Sequence, residues 1–389
     1  MQRPPKAEVL PFEPLPRAEL SGKGGILPCQ TIRELIKRKV VTAKSGDVES
    51  DQVQPSSLDL RLGRVAYCVR ASFLPGKSRT VDEELDTLKL YEVPLDDGAV
   101  LERGCVYVVE LQEILQLPES FTAVANPKSS TGRLDVFTRL ITDNSEVFDY
   151  VEPRYQGKLY AEISPRTFRI RVRTGSRLNQ LRFLRRGSSQ DRYYRPILED
   201  KELKKLHKEI CLADGDVTIR NGLNVRVDLS GGRRGVVIGY RALPYTGVID
   251  LDEKAKYKKQ DFWEPIRSKV GARLILYPNE FYILASKERM QVPPNYAAEM
   301  IPIDPMMGEF RAHYAGFFDP GFGHMDSEPH GSRAVLEVRS HDVPFTLEDG
   351  QIIARLAYEH LAEKPDRMYG QSMNSHYQGQ GLKLSKHFK

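Results

Sequence analysis

Short runs of β-branched and aromatic residues alternate with polar positions through most of the chain. Between Val53 and Phe183 these runs are broken every few residues by Pro, Gly, Asp or Asn, a pattern typical of short strands joined by turns. The runs are too short and too frequent for alternating strand and helix units, so the region is predicted to be all-β. Residues from about 211 to 361 repeat the same pattern.

Two segments have apolar residues at helical spacing instead. Thr31–Arg38 follows Pro28, and the charged stretch Glu199–Ile210 contains neither Gly nor Pro. The first is predicted to be a short helix, and the second a helical connector between the two β regions.

Motifs in the first half recur in the second half at a constant spacing. Leu117-Pro-Glu-Ser120 reappears as Val292-Pro-Pro-Asn295, and the apolar segment around Glu162 reappears around Glu337, each 175 residues later. This period is far longer than the roughly 20–50 residues of solenoid repeats, so it indicates a duplicated domain. The predicted organisation is an arm at 1–25, a β domain at 26–198, the connector at 199–211, a second β domain at 212–361 and a tail at 362–389.

The composition limits the classes of protein to which the chain can belong. The chain has 389 residues, 40% hydrophobic and 29% charged, and no apolar run approaches the ~18 residues of a membrane span. The net charge of +5 suits an anionic ligand, and no array of base-stacking aromatics accompanies the arginines. Four scattered cysteines without a CxxC pair argue for a reducing compartment and against zinc. We therefore expect a cytoplasmic protein that binds neither nucleic acid nor membrane.

A polar segment, Asn126–Arg133, has the chemistry of a polyphosphate site. The hydroxyls of Ser129 and Ser130 can donate hydrogen bonds, and Gly132 lets the backbone come close to a ligand. Arg133 adds a planar fork that matches phosphate oxygens. The same composition is also typical of an ordinary turn, so the segment alone leaves both interpretations open.

The two copies are not equivalent. The stretch of the second half that corresponds to the polar segment, 303–311, has no paired Ser and carries Asp304 and Glu309, which would repel phosphate. The reverse holds for an Asp-Pro-Gly turn, which is intact at Asp319–Gly321 but reads Glu-Pro-Arg at 152–154.

Each copy carries one glutamate inside an apolar segment. Glu337 is flanked by Val335, Leu336 and Val338. Burial there would favour the neutral form of Glu337 and raise its pKa toward the range useful for acid–base chemistry. Glu162 occupies the equivalent position in the first copy. Either side chain could instead be a strand residue that faces water.

These motifs occur in a recognisable order. They are Gln54-Pro-Ser-Ser-Leu-Asp-Leu-Arg-Leu-Gly63, Ser129-Ser-Thr-Gly-Arg133, Ala315-Gly-Phe-Phe-Asp-Pro-Gly321, Ala334-Val-Leu-Glu-Val338, Gly350-Gln-Ile-Ile-Ala354 and a tail with Tyr369, His376 and Gln380. From about residue 26 onward the chain resembles the dCTP deaminases of the dUTPase-like superfamily, as two tandem copies. The resemblance implies two mainly β, distorted β-barrel or jelly-roll domains with a few short helices.

The resemblance also implies a reaction. Water would attack C4 of the cytosine of dCTP, ammonia would leave, and a strand-borne glutamate would transfer the proton to give dUTP. Mg²⁺ would arrive with the triphosphate and zinc would not be used; the H-x-E and P-C-x-x-C motifs of zinc deaminases are absent from the sequence. The resemblance further suggests dTTP as a feedback inhibitor and a homo-oligomer with trimer-like packing of barrels.

In the resembled family each pocket takes its phosphate motif from one barrel and its glutamate, turn and tail from a neighbour. We therefore predict one composite site per chain and a degenerate mirror site around Glu162. The predicted catalytic residues are Glu337, Ser129, Arg133 and, in the mirror site, Glu162; none is predicted to ligate a metal. The predicted substrate-binding residues are Lys128, Ser130, Thr131, Gly132, Ala315, Asp319, Val335, Leu336, Tyr369, His376 and Gln380.

Some positions depart from the family pattern or have another interpretation. His376 stands where the family usually has Lys, and Phe317 where it has Arg before the Asp-Pro-Gly turn. Asp59 and Arg61 are interpreted as a structural ion pair. Gly247–Asp252 superficially resembles a dUTPase signature but precedes the Val292 segment, so it is interpreted as a loop.

Two other functions stay open. One is a dUTPase, or a bifunctional enzyme that also cleaves the triphosphate. The other is a non-catalytic dNTP sensor that regulates a partner. The presence of both Glu337 and Ser129 weighs against the sensor, because binding alone does not need a desolvated acid–base group.

Overall fold

The computed structural model of the protein describes residues 24–189, 191–303, 310–313, 316–324, 331–340, 342–370 and 381–389. The predicted arm therefore lies outside the described residues except for its last two. Strands dominate, which confirms the prediction of a mainly β fold with a few short helices. In the described residues the helices are α1 (Cys29–Lys37), α2 (Val81–Leu88), α3 (Ser129–Gly132) and α4 (Asp200–Glu209), with 3-10 turns at Ser50–Gln52 and Lys259–Asp261.

Two sheets, antiparallel throughout, form the first half. One contains β1 (Gly25–Ile26), β3 (Leu58–Asp59), β8 (Phe121–Pro127), β10 (Tyr150–Val151) and β13 (Asn179–Arg185). The other contains β2 (Val41–Ala43), β4 (Leu62–Val69), β5 (Lys89–Pro94), β7 (Val106–Gln116), β9 (Val136–Thr142) and β11 (Gln156–Pro165). Apolar side chains of both sheets face each other, because alternate residues of a strand point to opposite faces.

The second half repeats this arrangement. One sheet contains β14 (Leu223–Arg226), β20 (Tyr296–Pro302), β22 (Phe317–Phe318) and β25 (Ile352–His360). Another contains β15 (Val237–Ala242), β17 (Trp263–Arg267), β19 (Phe281–Met290), β21 (Phe310–His313) and β23 (Ser332–Ser340). A pair is formed by β18 (Arg273–Leu276) and β24 (Phe345–Glu348), and a small mixed sheet joins β6 (Ala99–Leu101), β12 (Ile170–Val172) and β16 (Ile249–Asp250).

The strand registers preserve the repeat. Glu162 on β11 pairs with Val108 on β7, and Glu337 on β23 pairs with Ile283 on β19, so both partners are displaced by the same number of residues. The two glutamates therefore occupy equivalent positions on equivalent strands. Differences between them come from side chains and not from the course of the backbone.

Both predicted helices are present. Helix α1 begins two residues earlier than predicted and buries Ile32 and Leu35. Helix α4 buries Leu203 and Leu206 in the apolar core of the second half, so the predicted connector packs as part of that half. Among the described helices, none has the length and apolar character needed to cross a bilayer.

Aromatic side chains join the two halves. The ring of Phe168 lies edge-on to Trp263 and Phe262, with centroid distances of 5.2 and 5.8 Å, and Phe388 lies 5.9 Å from Trp263. Nearby, β16 pairs in parallel with β12 of the first half. The interpretation of Gly247–Asp252 as a loop is therefore wrong for its middle residues, which form an interdomain strand.

Candidate functional site

The polar segment of the first half forms helix α3 directly after strand β8. The amides of Thr131 and Gly132 donate to the Lys128 carbonyl at 2.8 and 3.0 Å. The Thr131 hydroxyl donates to the Leu178 carbonyl at 3.0 Å. Thr131 and Gly132 are buried in the turn and hold its shape.

A cavity of about 590 Å³ lies between the halves of the chain. Its lining combines α3 and the neighbouring Asp59 of the first half with β23, Asp319 of the Asp-Pro-Gly turn, Arg367 and Tyr369 from the second part of the chain. Eight of the predicted site residues line it: Lys128, Ser129, Ser130, Arg133, Asp319, Val335, Glu337 and Tyr369. The structure thus brings the predicted phosphate motif and the predicted catalytic glutamate to one place.

Strand β23 sets the orientation of Glu337. Alternation along the strand turns Leu336 into the core of the second half and turns Val335 and Glu337 toward the cavity. Glu337 is 8% exposed, and within the described part of the chain its carboxyl forms no hydrogen bond. Leu336 was predicted to bind substrate, but its side chain is completely buried away from the cavity.

Burial raises the pKa of Glu337 to about 8. The Arg133 guanidinium opposes this rise, and the Asp135 carboxylate adds to it. Glu337 is therefore mostly protonated at neutral pH, and it can gain and lose a proton at comparable cost.

A second residue of β23 fixes this strand against the first half. Arg339 forms an ion pair with Asp135 and donates to the Thr167 hydroxyl at 3.0 Å. Because Asp135 follows Arg133 by two residues, the same contact sets the position of Glu337 relative to Arg133.

The Asp-Pro-Gly turn is held by residues of the first half. The Ser56 hydroxyl donates to Asp319 at 2.5 Å, and Arg182 donates to the Phe318 carbonyl at 2.9 Å. The Arg182 guanidinium also lies 4.0 Å from the ring centroid of Phe317. Burial raises the pKa of Asp319, while Arg182 and the hydrogen bond from Ser56 lower it.

Asp59 and Arg61 do not pair with each other, so that interpretation is wrong. Asp59 forms an ion pair with Lys128 at the cavity wall. Arg61 donates to Glu113 at 2.8 Å, in a buried pair beneath the sheet. Each side chain reaches a partner of opposite charge on a neighbouring segment, and this separates the two residues.

Glu162, the counterpart of Glu337 in the first half, lies outside this cavity. Its carboxylate accepts two hydrogen bonds from Arg139, at 2.7 and 3.1 Å, and the Arg139 guanidinium lies 3.4 Å from the ring centroid of Phe148. Glu162 does not line the described cavity. The position equivalent to Arg139, across from Glu337 in the register of β21, is His313.

The remaining predicted residues divide into two groups. Thr131, Gly132 and Leu336 are buried beside the cavity without lining it. Ala315, His376 and Gln380 lie outside the described residues. In the part of the chain that is described, no group of three or more His, Cys, Asp or Glu side chains is placed to hold a metal ion.

Sequence reasoning missed several residues of the cavity. Met300, Phe318 and Phe322 form an apolar part of its lining. The side chains of Lys254, Arg367 and Lys386 contribute positive charge to the lining. The residues of the apolar part lie next to the Asp-Pro-Gly turn or on β20, so the repeat could have indicated them. The three cations have no signal in the sequence, because loops far apart in the chain bring them together.

The cavity is therefore chemically divided. One part has hydroxyls and cations, which suit a polyphosphate. Another part has aromatic side chains around a neutral carboxyl, which suit a flat heterocycle that gains and loses protons. Such an arrangement fits a nucleotide whose base is modified by acid–base chemistry.

Comparison with known proteins agrees with this geometry. Residues 23–188 match the family model described as the 2'-deoxycytidine 5'-triphosphate deaminase N-terminal domain. Residues 199–388 match the model described as the C-terminal domain of the same family.

A solved structure and curated relatives point the same way. A crystal structure of 2'-deoxycytidine 5'-triphosphate deaminase from Agrobacterium tumefaciens is 52% identical, with a TM-score of 0.82 over 87% of this chain and 99% of that one. A protein from Halobacterium salinarum named dCTP deaminase, dUMP-forming, is 30% identical over 43% of this chain and 85% of its own length. One of the same name from Methanobrevibacter smithii is 29% identical over 47% of this chain and 93% of its own length.

Proposed function

Since the chain belongs to the dCTP deaminase family, we propose that it converts dCTP and water to dUTP and ammonia. The observation that carries the proposal is the position of the buried Glu337 in the same cavity as Ser129, Ser130 and Arg133. The phosphate motif would hold the triphosphate while Glu337 acts on the base.

The proposed steps conserve atoms and protons. The oxygen of water bonds to C4 of the cytosine, and the bond from C4 to the amino nitrogen breaks. Of the two protons of that water, one ends on N3 of the uracil and the other leaves with the amino group as ammonia. Glu337 carries these protons in turn, and its pKa of about 8 lets it act as both acid and base near neutral pH.

The first half would bind the phosphates. Ser129 and Ser130 offer hydroxyls, Arg133 offers a bidentate fork, and Lys128 offers a point charge. Mg²⁺ would accompany the triphosphate and neutralise part of its charge, and the deamination itself would use no zinc. The Asp-Pro-Gly turn and Tyr369 would position the nucleoside.

Product analysis tests the proposal. The purified protein is incubated with dCTP and Mg²⁺, with dUTP as a parallel substrate, and the nucleotides are separated by chromatography. Accumulation of dUTP and ammonia is the expected result, and Glu337→Gln should slow it strongly. If both substrates are bound but recovered unchanged, the protein is a sensor and the proposal fails.

A second candidate is a bifunctional enzyme that forms dUMP. The observation in its favour is the name of the relatives from Halobacterium salinarum and Methanobrevibacter smithii, which are dUMP-forming. Accumulation of dUMP and pyrophosphate from dCTP would support this candidate. Cleavage of dUTP without any turnover of dCTP would indicate a dUTPase instead.

The same proposal places the protein in the cytoplasm as a homo-oligomer inhibited by dTTP. Two barrels per chain permit several closed assemblies with trimer-like packing. Light scattering after size-exclusion chromatography measures the assembly, and titration of the deaminase reaction with dTTP measures the inhibition.

A further inference from the structure

Two lysines of the cavity come from segments that sequence reasoning did not connect with the site. Lys254 follows strand β16, and Lys386 lies in segment 381–389. They line the same cavity as Lys128 and Arg133 of the phosphate motif. Four cations from three separate parts of the chain thus converge on one space.

Segment 381–389 is anchored on both sides of the phosphate motif. The Ser385 hydroxyl donates to the Ser130 carbonyl at 2.9 Å, and Arg133 donates to the Lys383 carbonyl at 3.1 Å. On the other side, the Ala255 amide donates to the Lys386 carbonyl at 2.9 Å. The backbone of Lys386 is therefore fixed between the phosphate motif and the loop that carries Lys254.

Aromatic packing strengthens this anchor. The ring of Phe388 lies 5.4 Å from that of Phe262 and 5.9 Å from that of Trp263, centroid to centroid. His387 is buried, and its ring contacts the Ser385 hydroxyl at 2.9 Å. Lys386 is only half-buried between these residues, and its side chain lines the cavity.

The lysine cluster is electrostatically unfavourable as it stands. Burial and, to a smaller extent, the charges of Lys128 and Lys254 lower the pKa of Lys386 to about 8, against the opposing influence of Asp59 and Asp252. Within the described residues, no carboxylate lies within ion-pair distance of Lys386 or Lys254. Lys128 has Asp59 as its counter-ion, but the other two lysines of the cluster have no such partner among the described residues. An anionic ligand would therefore stabilise them.

We infer that Lys254 and Lys386 form a second cationic arm of the phosphate site, which binds the distal phosphates of a nucleoside triphosphate. The phosphate motif of the first half binds from one side, and this arm binds from the other. The inference rests on the proposed function and deepens it, because the arm makes the chain selective for a triphosphate over a monophosphate.

Charge removal at the two lysines tests the inference. The dissociation constants of dCTP and dCMP are measured by calorimetry at pH 7 with the full chain and with Lys386→Met and Lys254→Met. Each variant should bind dCTP roughly tenfold to a hundredfold more weakly, the range of one charge-assisted hydrogen bond. Binding of dCMP should change less than about twofold in the same variants, because it lacks the distal phosphates.

The matched control is Lys389→Met, which makes the same substitution on the same segment at an exposed residue that does not line the cavity. It should leave both dissociation constants unchanged. Thermal unfolding adds a second readout. Loss of a repelled charge should keep or raise the melting temperature of Lys386→Met, whereas a merely structural role would lower it.

The outcomes separate the inference from the proposed function. If the wild type turns over dCTP while both lysine variants bind dCTP and dCMP as it does, the arm does not exist and the function stands. If the wild type does not turn over dCTP, the proposed function fails. Binding of inorganic tripolyphosphate then tests the arm separately. Weaker binding by Lys386→Met and Lys254→Met than by the wild type supports the arm, and unchanged binding overturns it.

Discussion

At the scale of single residues, the two copies differ through the neighbours of one carboxyl. Glu162 is neutralised by Arg139, which donates two hydrogen bonds to it. Glu337 occupies the same position of the repeat, but it is desolvated beside Arg133 and keeps its carboxyl free of hydrogen bonds from the described residues. A carboxylate held in an ion pair is a poor proton carrier, whereas a desolvated carboxyl is a good one.

Isosteric removal of each carboxyl is expected to have unequal effects on turnover. Glu337→Gln should lower kcat roughly 10²–10⁴-fold, the usual contribution of a general acid–base group. Glu162→Gln should leave kcat within about threefold of wild type, although loss of the Arg139 ion pair should lower stability. Steady-state kinetics and thermal unfolding of both variants provide the measurement. Equal losses of kcat would contradict the assignment of one working site.

The pKa of Glu337 also predicts a dependence of stability on pH. Because its pKa is about 8 in the folded chain and 4.5 ordinarily, the unfolded state releases a proton between these values while the folded state retains it. This residue therefore costs stability as pH rises, by about 1.4 kcal/mol per unit across that window. Gln has no proton to release.

Glu337→Gln should accordingly be more stable than wild type, by a margin that grows from pH 5 to pH 8. Denaturant unfolding of the two proteins at several pH values measures this margin. A margin that stays constant or shrinks with rising pH would show that the Glu337 carboxyl is not held in its neutral form.

At the scale of elements, strand β13 reaches across to the second half through one side chain. Arg182 is completely buried, and it donates to the carbonyls of Ala298 and Phe318 at 3.0 and 2.9 Å and to Glu359 at 3.0 Å. The planar guanidinium group can make these bonds together because its N–H groups point in several directions. The Asp-Pro-Gly turn consequently depends on a residue about 140 positions earlier in the chain.

Arg182→Lys is expected to be costly despite the conserved charge. Lysine cannot make the same divergent hydrogen bonds, so stability should fall by about 2–4 kcal/mol and the KM for dCTP should rise. Arg185→Lys on the same strand should cost less than about 1 kcal/mol, because Arg185 makes no such contact with the turn. Denaturant unfolding and dCTP kinetics of both variants test this, and equal costs would contradict the role of Arg182.

The strands and loops that carry the site residues also explain which of these residues could be predicted from the sequence. Val335 and Glu337 were predictable because strand periodicity and the repeat mark their face, and the same alternation could have shown that Leu336 faces the core. The chemistry of Ser129 to Arg133 was visible in composition. The contributions of Arg182, Lys254 and Lys386 depend on packing between distant segments, which leaves no local pattern. The partners of Asp59 and Arg61 could not be predicted, because their closeness along the chain favours a mutual pair and the true partners lie on neighbouring segments.

At the scale of the whole molecule, buried ion pairs and aromatic packing unite the two halves. Arg182 and Arg195 of the first half pair with Glu359 of the second, and Arg195 also pairs with Glu299. On another side, Arg339 pairs with Asp135. Buried pairs of this kind favour a single relative arrangement, because removing one partner strands a charge. The cavity between the halves is therefore a property of one chain.

Mixing two inactive variants tests this conclusion. Glu337→Gln and Arg133→Met each lose one side of the cavity, and a site built within one chain cannot exchange the missing part. Co-expression of the two variants should therefore yield no more deaminase activity than either alone. Recovery of a substantial fraction of wild-type activity would show that the phosphate motif and the glutamate come from different chains.

The matched registers around Glu162 and Glu337 affect how mutations can change the two equivalent positions. In an assembly of identical single-barrel subunits, one codon changes every pocket at once. Here two codons encode the two positions, so a mutation near Glu162 leaves the surroundings of Glu337 untouched. The position of Glu162 is thus released from the demands of chemistry, whereas Ser129 and Arg133 of the same half still line the cavity. The surroundings of Glu162 can therefore change toward tighter packing without loss of turnover.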